Sequence, residues 1–128
     1  MNDDLKLRLT PFTEMNMTQT LWWGQMVMGL TDATGSEYPV NVVMLEIDPP
    51  EYPDDDTGFV EFDGKEFVIY LDERMPIGMC IDYLQHELAH VGTWFVNEPE
   101  DHGPMFGVEL ARLYREYLTL YDQLWDVL

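Results

Sequence analysis

The chain contains three histidines, and two of them fall four residues apart in His86-Glu87-Leu88-Ala89-His90. On an α-helix, residues four apart lie one turn above each other, so both imidazoles face the same way and can hold one metal ion. Glu87 is rotated by about 100° from His86. It is poorly placed to share the coordination sphere, but it can reach a water on such an ion, which is where a general base belongs. Zinc asks for a third protein ligand and keeps one position for water. The remaining histidine, His102, stands in His102-Gly103-Pro104-Met105-Phe106, after a loop long enough to turn back toward the pair. Gly103 permits an unusual backbone angle there, and Pro104 can open a helix. Glu109 is a rival third ligand, since glutamate from a downstream helix completes other zinc sites. Zn2+ held by His86, His90 and His102 would polarise a scissile carbonyl and lower the pKa of its water toward ~7. Glu87 would take the proton of that water and pass it to the leaving amine. Arg112, Tyr114 and Tyr83 are available by position to steady the oxyanion.

The elements that must position these residues follow from hydrophobic periodicity. Ile77, Ile81, Leu84, Leu88, Val91 and Phe95 step by four and three, which predicts one helical stripe with Pro76 in the first turn. His86 and His90 lie roughly opposite that stripe, flanked by Met79, Tyr83 and Trp94. A helix apolar on both sides is sandwiched, so its histidines should line an inner cleft. Pro99, Gly103 and Pro104 require a break, and Phe106, Leu110, Leu113, Tyr117, Leu120 and Leu124 repeat the stepping on a last helix widened by Tyr114, Tyr121 and Trp125. Upstream, Val40 to Ile47 reads as a strand covered on both faces. Phe59–Phe62 and Glu66–Leu71 flank Asp63-Gly64-Lys65, a hairpin signal. A helix starting near Thr18-Gln19-Thr20 carries Leu21, Trp22, Met26 and Leu30, and its methionines read as core. Leu5-Lys6-Leu7-Arg8-Leu9 alternates and suits a short strand or an edge-pinned tail ended by Pro11. The order of helix, strands, hairpin, helix and helix makes an α+β fold.

Composition bounds the rest. The 128 residues are one domain's worth, with no repeat or linker, because single domains cluster near ~100–150 residues. Apolar residues make up 46%, enough for a core. The 25 acidic against 6 basic side chains give a net charge of -19, which repels phosphate backbones and anionic membranes. Direct nucleic-acid binding and membrane association are therefore disfavoured, and basic peptides or proteins are the favoured partners. The same charge supports an alternative: an acidic DNA mimic that occupies a DNA-binding protein, with the zinc site structural or relic. One cysteine, Cys80, excludes a disulfide framework and a zinc ribbon, and it reads as a buried apolar residue. The acidic N-terminus lacks a secretory pattern, so a cytoplasmic protein is expected. Asp48 to Asp56 holds three prolines and five acids and reads as a solvated loop, with Asp54–Asp56 short of any calcium-loop spacing. Asn97-Glu98 is discounted as a second motif because Pro99 places it in the loop.

Taken together, Phe67-Val68-Ile69-Tyr70-Leu71, then Leu84-Gln85-His86-Glu87-Leu88-Ala89-His90, then His102-Gly103-Pro104-Met105-Phe106 resemble the SprT-like metallopeptidase domain, whose family includes a DNA–protein crosslink protease. The resemblance covers about residues 40 to 115. It implies a compact zincin-like domain over 1–128, with a small, mainly antiparallel sheet, the motif helix and a long C-terminal helix. By resemblance His86, His90 and His102 are zinc ligands, Glu87 is the catalytic base, and the strand at 67–71 pairs with an extended peptide substrate. The chain departs from many members in lacking ribbon cysteines and a basic DNA-binding region. A stand-alone protein of this kind suits a bacteriophage or a mobile element.

Overall fold

The computed structural model describes residues 2–47, 58–96 and 102–127. The acidic segment from Asp48 to Asp56, including Asp54–Asp56, and the Asn97-Glu98 pair lie outside the described residues. The elements run α1 (Asn2–Leu9), a 3-10 turn (Phe12–Glu14), α2 (Met17–Ala33), β1 (Val40–Leu45), β2 (Gly58–Phe62), β3 (Phe67–Asp72), α3 (Ile77–Gly92) and α4 (Pro104–Val127). This is the expected α+β architecture, ending on a long C-terminal helix.

The sheet has the order β1-β3-β2. β2 meets β3 antiparallel through the Asp63-Gly64-Lys65 hairpin, from Gly58 opposite Leu71 to Phe62 opposite Phe67. Gly64 takes a φ of 93°, and the Asp63 carboxylate accepts from the backbone N–H of Lys65 and Glu66, both at 2.8 Å. β1 runs parallel to β3, from Val40 opposite Phe67 to Leu45 opposite Asp72. The sheet is thus mixed, not mainly antiparallel. Its two pairs arise differently: a tight turn reverses the chain between β2 and β3, whereas β1 reaches β3 through a longer connection.

That order corrects a second expectation. β3 is the central strand, and both of its edges are consumed by β1 and β2. Its backbone has no open edge for a substrate peptide, so the strand at 67–71 cannot play the pairing role the resemblance implied. Phe67, Ile69 and Leu71 alternate along β3 and are buried against the helices. β1 is not covered on both faces, because Asn41 and Val43 are exposed. It also ends at Leu45, two residues before the expected boundary at Ile47.

The N-terminal segment is helical rather than extended. Only Leu7 of its three alternating leucines is buried, while Leu5 and Leu9 face outward. On a helix, residues two apart point some 200° apart, so one side of the alternation is lost to solvent. Gly78 at the start of α3 makes room for this helix, since a Cβ there would stand 2.8 Å from the Arg8 Cα. Backbone pinning falls one segment later and not at a sheet edge, since Pro11 and Pro76 form an isolated bridge outside the three strands. Thr10 accepts from the Ile77 N–H at 2.9 Å, and the Phe12 N–H donates to Met75 at 3.0 Å.

α2 begins at Met17, capped by Asn16, whose side chain accepts from the Gln19 N–H while the Gln19 side chain accepts from the Asn16 N–H. This reciprocal pair meets two orphan donors of the first turn. Trp22, Trp23, Met26 and Leu30 are buried, but Leu21, Met17 and Met28 are exposed, so the methionines are only partly core. α3 buries Ile77, Ile81, Leu84, Leu88 and Val91 as the stripe requires. Phe95 falls beyond the end of α3 and is 66% exposed. On α4, Phe106 and Leu113 are buried, and Leu110, Tyr117, Leu120 and Leu124 pack against the core from partly buried positions. Tyr114 is exposed and does not widen that stripe inward. No helix among the described residues is long and apolar enough to cross a membrane.

Candidate metal centre

α3 delivers two imidazoles from consecutive turns. His86 and His90 are half-buried, with ring centroids 5.0 Å apart. The segment entering α4 delivers the third. His102 is exposed, and its ring lies 5.1 Å from that of His86 and 4.8 Å from that of His90. Each of the three offers one ring nitrogen within 4.8 Å of the others. The structure therefore brings together His86, His90 and His102, the three residues the sequence nominated.

The nitrogen spacing bears on what such a cluster can hold. His90 Nε2 and His102 Nε2 are 3.1 Å apart. Nitrogens at zinc-ligand distances in a tetrahedral arrangement stand about 3.3 Å from each other. Neutral imidazole nitrogens are among the donors this ion takes, and three of them within 4.8 Å of one another are a set that can hold it. Partial burial, then the neighbouring His102, lowers the pKa of His86 and favours the neutral ring that can ligate.

Phe106 organises the three rings. Its centroid lies 5.1 Å from His86, 4.6 Å from His90 and 4.7 Å from His102. The four rings thus form a nearly regular tetrahedron, with the buried phenyl closing one face of the histidine triangle. A ligand or water can approach only from elsewhere. Sequence reasoning placed Phe106 in the core stripe of α4 and missed this second role. Its signal was its position four residues after His102, one turn into the helix.

The rival ligand is engaged elsewhere. The Glu109 carboxylate forms a two-point ion pair with Arg112, through Nε at 3.2 Å and through a shorter contact with a terminal nitrogen. It also lies over the end of α3, where a Cβ on Gly92 would come within 2.8 Å of Glu109 Oε1. Glycine at position 92 is what lets this carboxylate approach. The pair lies within α4 and holds the Glu109 carboxylate where it packs against Gly92 at the end of the motif helix. It also occupies Arg112, which the sequence offered as an oxyanion donor.

Glu87 is 1% exposed. Helical phase sets it between the histidine side of α3 and the apolar stripe. β2 begins directly above it: a Cβ at Gly58 would lie 3.9 Å from the Glu87 Cγ. Cys80 is fully buried. Burial, reinforced by the Asp72 charge, pushes its thiol up to about 12, so it stays protonated and is no nucleophile.

No protein-family model matches the chain, and no curated protein is similar to it at a significant level.

Proposed function

We propose that this protein is a zinc-dependent peptidase. The observation that carries the reading is the convergence of His86, His90 and His102 from two separate segments, with their ligating atoms within 4.8 Å. Their resemblance to the SprT-like pattern, H-E-L-A-H followed by H-G-P-M-F, points the same way. A bound zinc ion would supply Lewis acidity toward a substrate carbonyl and make water a better nucleophile at neutral pH.

The residues of the chain supply the remainder. Glu87 is the group that takes the proton of the attacking water and returns it to the leaving amine. Its burial restricts competing solvent around the carboxylate. Among the described residues β2 is an outer strand of the sheet and pairs only with β3, and its other edge is the one we assign to an extended polypeptide. That edge begins at Gly58, beside Glu87, which would carry a substrate backbone toward the histidines. The charge of -19 favours basic proteins as substrates, DNA-binding proteins among them, and steering of such substrates weakens as salt rises.

The test is Glu87→Gln in the zinc-loaded chain. The variant is expected to keep stoichiometric zinc and to lose at least ~100-fold in cleavage of an unfolded basic protein, the usual scale for a removed general base. Unchanged cleavage with zinc still bound would refute the assignment of the base. No cleavage by the wild type would refute the peptidase reading and leave the acidic-mimic alternative.

A further inference from the structure

A groove of about 410 Å³ lies between α3 and α4, lined by Asp82, Gln85, Gly107, Leu110, Ala111 and Tyr114. It adjoins the metal centre through the chain itself, because Gln85 precedes His86 and Gly107 follows Phe106. Two features give it chemical character beyond an apolar wall. Gln85 is 3% exposed, and its Nε2 is buried without a hydrogen-bond partner. A buried amide donor left in this state calls for an acceptor. Asp82 lies one turn further from His86 than Gln85 does, about 4.5 Å along the helix axis. Its side chain is exposed and places a carboxylate at that end of the groove; partial burial raises its pKa, and the field of Arg8 from α1 opposes that shift.

We propose that this groove is a subsite for a basic residue of an extended polypeptide. The main-chain carbonyl of that residue accepts from Gln85 Nε2. Its aliphatic stem lies along Leu110, Ala111 and the face of Tyr114. Its cationic head meets the Asp82 carboxylate. The match follows from the order of groups along α3, amide donor first and carboxylate one turn out, which a lysine or arginine residue satisfies in a single pass. No basic side chain lines the groove; Arg8, outside it, is the cation whose field reaches Asp82 and with which a bound lysine or arginine competes, and the net charge of -19 favours the same ligand. The inference rests on the peptidase reading for its purpose, because it names the residue type that reading would select beside the scissile bond.

The experiment measures binding to the full-length Glu87→Gln chain loaded with zinc, so that peptides are not consumed. Three peptides differ at one position only, carrying lysine, norleucine or glutamate. The lysine peptide is expected to bind ~5–10-fold tighter than the norleucine peptide at low salt, and the glutamate peptide more weakly than either. Asp82→Asn is expected to erase the lysine preference, and Gln85→Leu to weaken all three peptides by a similar factor. Equal affinity for the lysine and norleucine peptides, a lysine preference that survives Asp82→Asn, or no binding of any peptide overturns the proposal. Cleavage by the wild type is read separately: a lysine preference that Asp82→Asn abolishes, without cleavage of any peptide, removes the peptidase and keeps the groove.

Discussion

The two halves of the histidine cluster are built in different ways. His86 and His90 stand on one continuous helix, and the spacing of that helix fixes their relation to each other. Removing any one neighbour leaves that relation intact. His102 stands outside regular structure, at the entrance to α4, and its place depends on how α4 is seated. Three contacts seat it: Phe106 against all three imidazoles, Glu109 over Gly92, and Arg112 holding Glu109. The pair is a local property of sequence, and the third ligand is a tertiary one. A shift of the α4 entrance would move His102 and leave the spacing of His86 and His90 unchanged.

The largest expected effect separates those halves directly. Structural zinc sites are worth roughly 10–16 kcal/mol over about four ligands, or some 2.5–4 kcal/mol for each. His86→Ala should therefore weaken zinc binding by about 10²–10³-fold, measured by chelator competition. His102→Ala should cost about tenfold less than that, because ordering the α4 entrance already draws on part of the binding energy of His102. Equal losses for the two variants would erase the distinction between a preformed pair and a recruited third ligand.

This division also sets how much could be read before the structure. The motif helix, the last helix and the hairpin all come from local spacing or turn chemistry, whereas the choice of His102 over Glu109 rests on residue type, since a glutamate on a helix can as easily be an exposed acid. The Asp-Gly turn, for example, needs nothing beyond its own residues. The central placement of β3 was not legible, because strand order depends on a connection whose length carries no hydrophobic period. The helical state of α1 was hidden for a related reason. Five alternating residues fit a strand or a helix, and what decides is the shallow seat that Gly78 offers on α3. The part of Phe106 in the site left one local trace, its place four residues after His102, while its contacts with His86 and His90 join residues far apart in the chain and have no local signal.

Phe106 offers the next test in size. It is 6% exposed and touches every ring of the cluster. Phe106→Ala should destabilise the fold by about 3 kcal/mol, the usual cost of truncating a buried phenyl. The comparison is sharpened by the metal. In the variant the His86–His90 pair keeps its spacing while His102 loses its wall, so zinc affinity should fall toward that of His102→Ala and not below it. The double variant Phe106→Ala/His102→Ala should then bind zinc no more weakly than His102→Ala alone, measured by the same competition. A further drop in the double variant would mean that the phenyl also holds the pair.

The smallest effect concerns the opposite end of α3. Asp72 closes β3 and accepts from Arg74 through both carboxylate oxygens, while Arg74 also donates to the Ile47 carbonyl at 2.7 Å. The side-chain bonds from Arg74, ahead of the desolvation that opposes them, hold the Asp72 carboxyl below the usual carboxylate range. A carboxyl with a depressed pKa in the folded state contributes stability that is present above its unfolded value, near ~4, and is lost as pH falls through the folded one. Asp72→Asn should accordingly cost about 1 kcal/mol at neutral pH. The gap between variant and wild type should close as pH drops below ~4, followed by denaturant melts across that range. Zinc affinity at neutral pH should not change, because this clasp lies at the start of α3, away from the turns that carry His86 and His90. A loss of zinc in Asp72→Asn would show that the pair depends on the far end of its own helix, and would remove the independence on which the contrast with His102 is built.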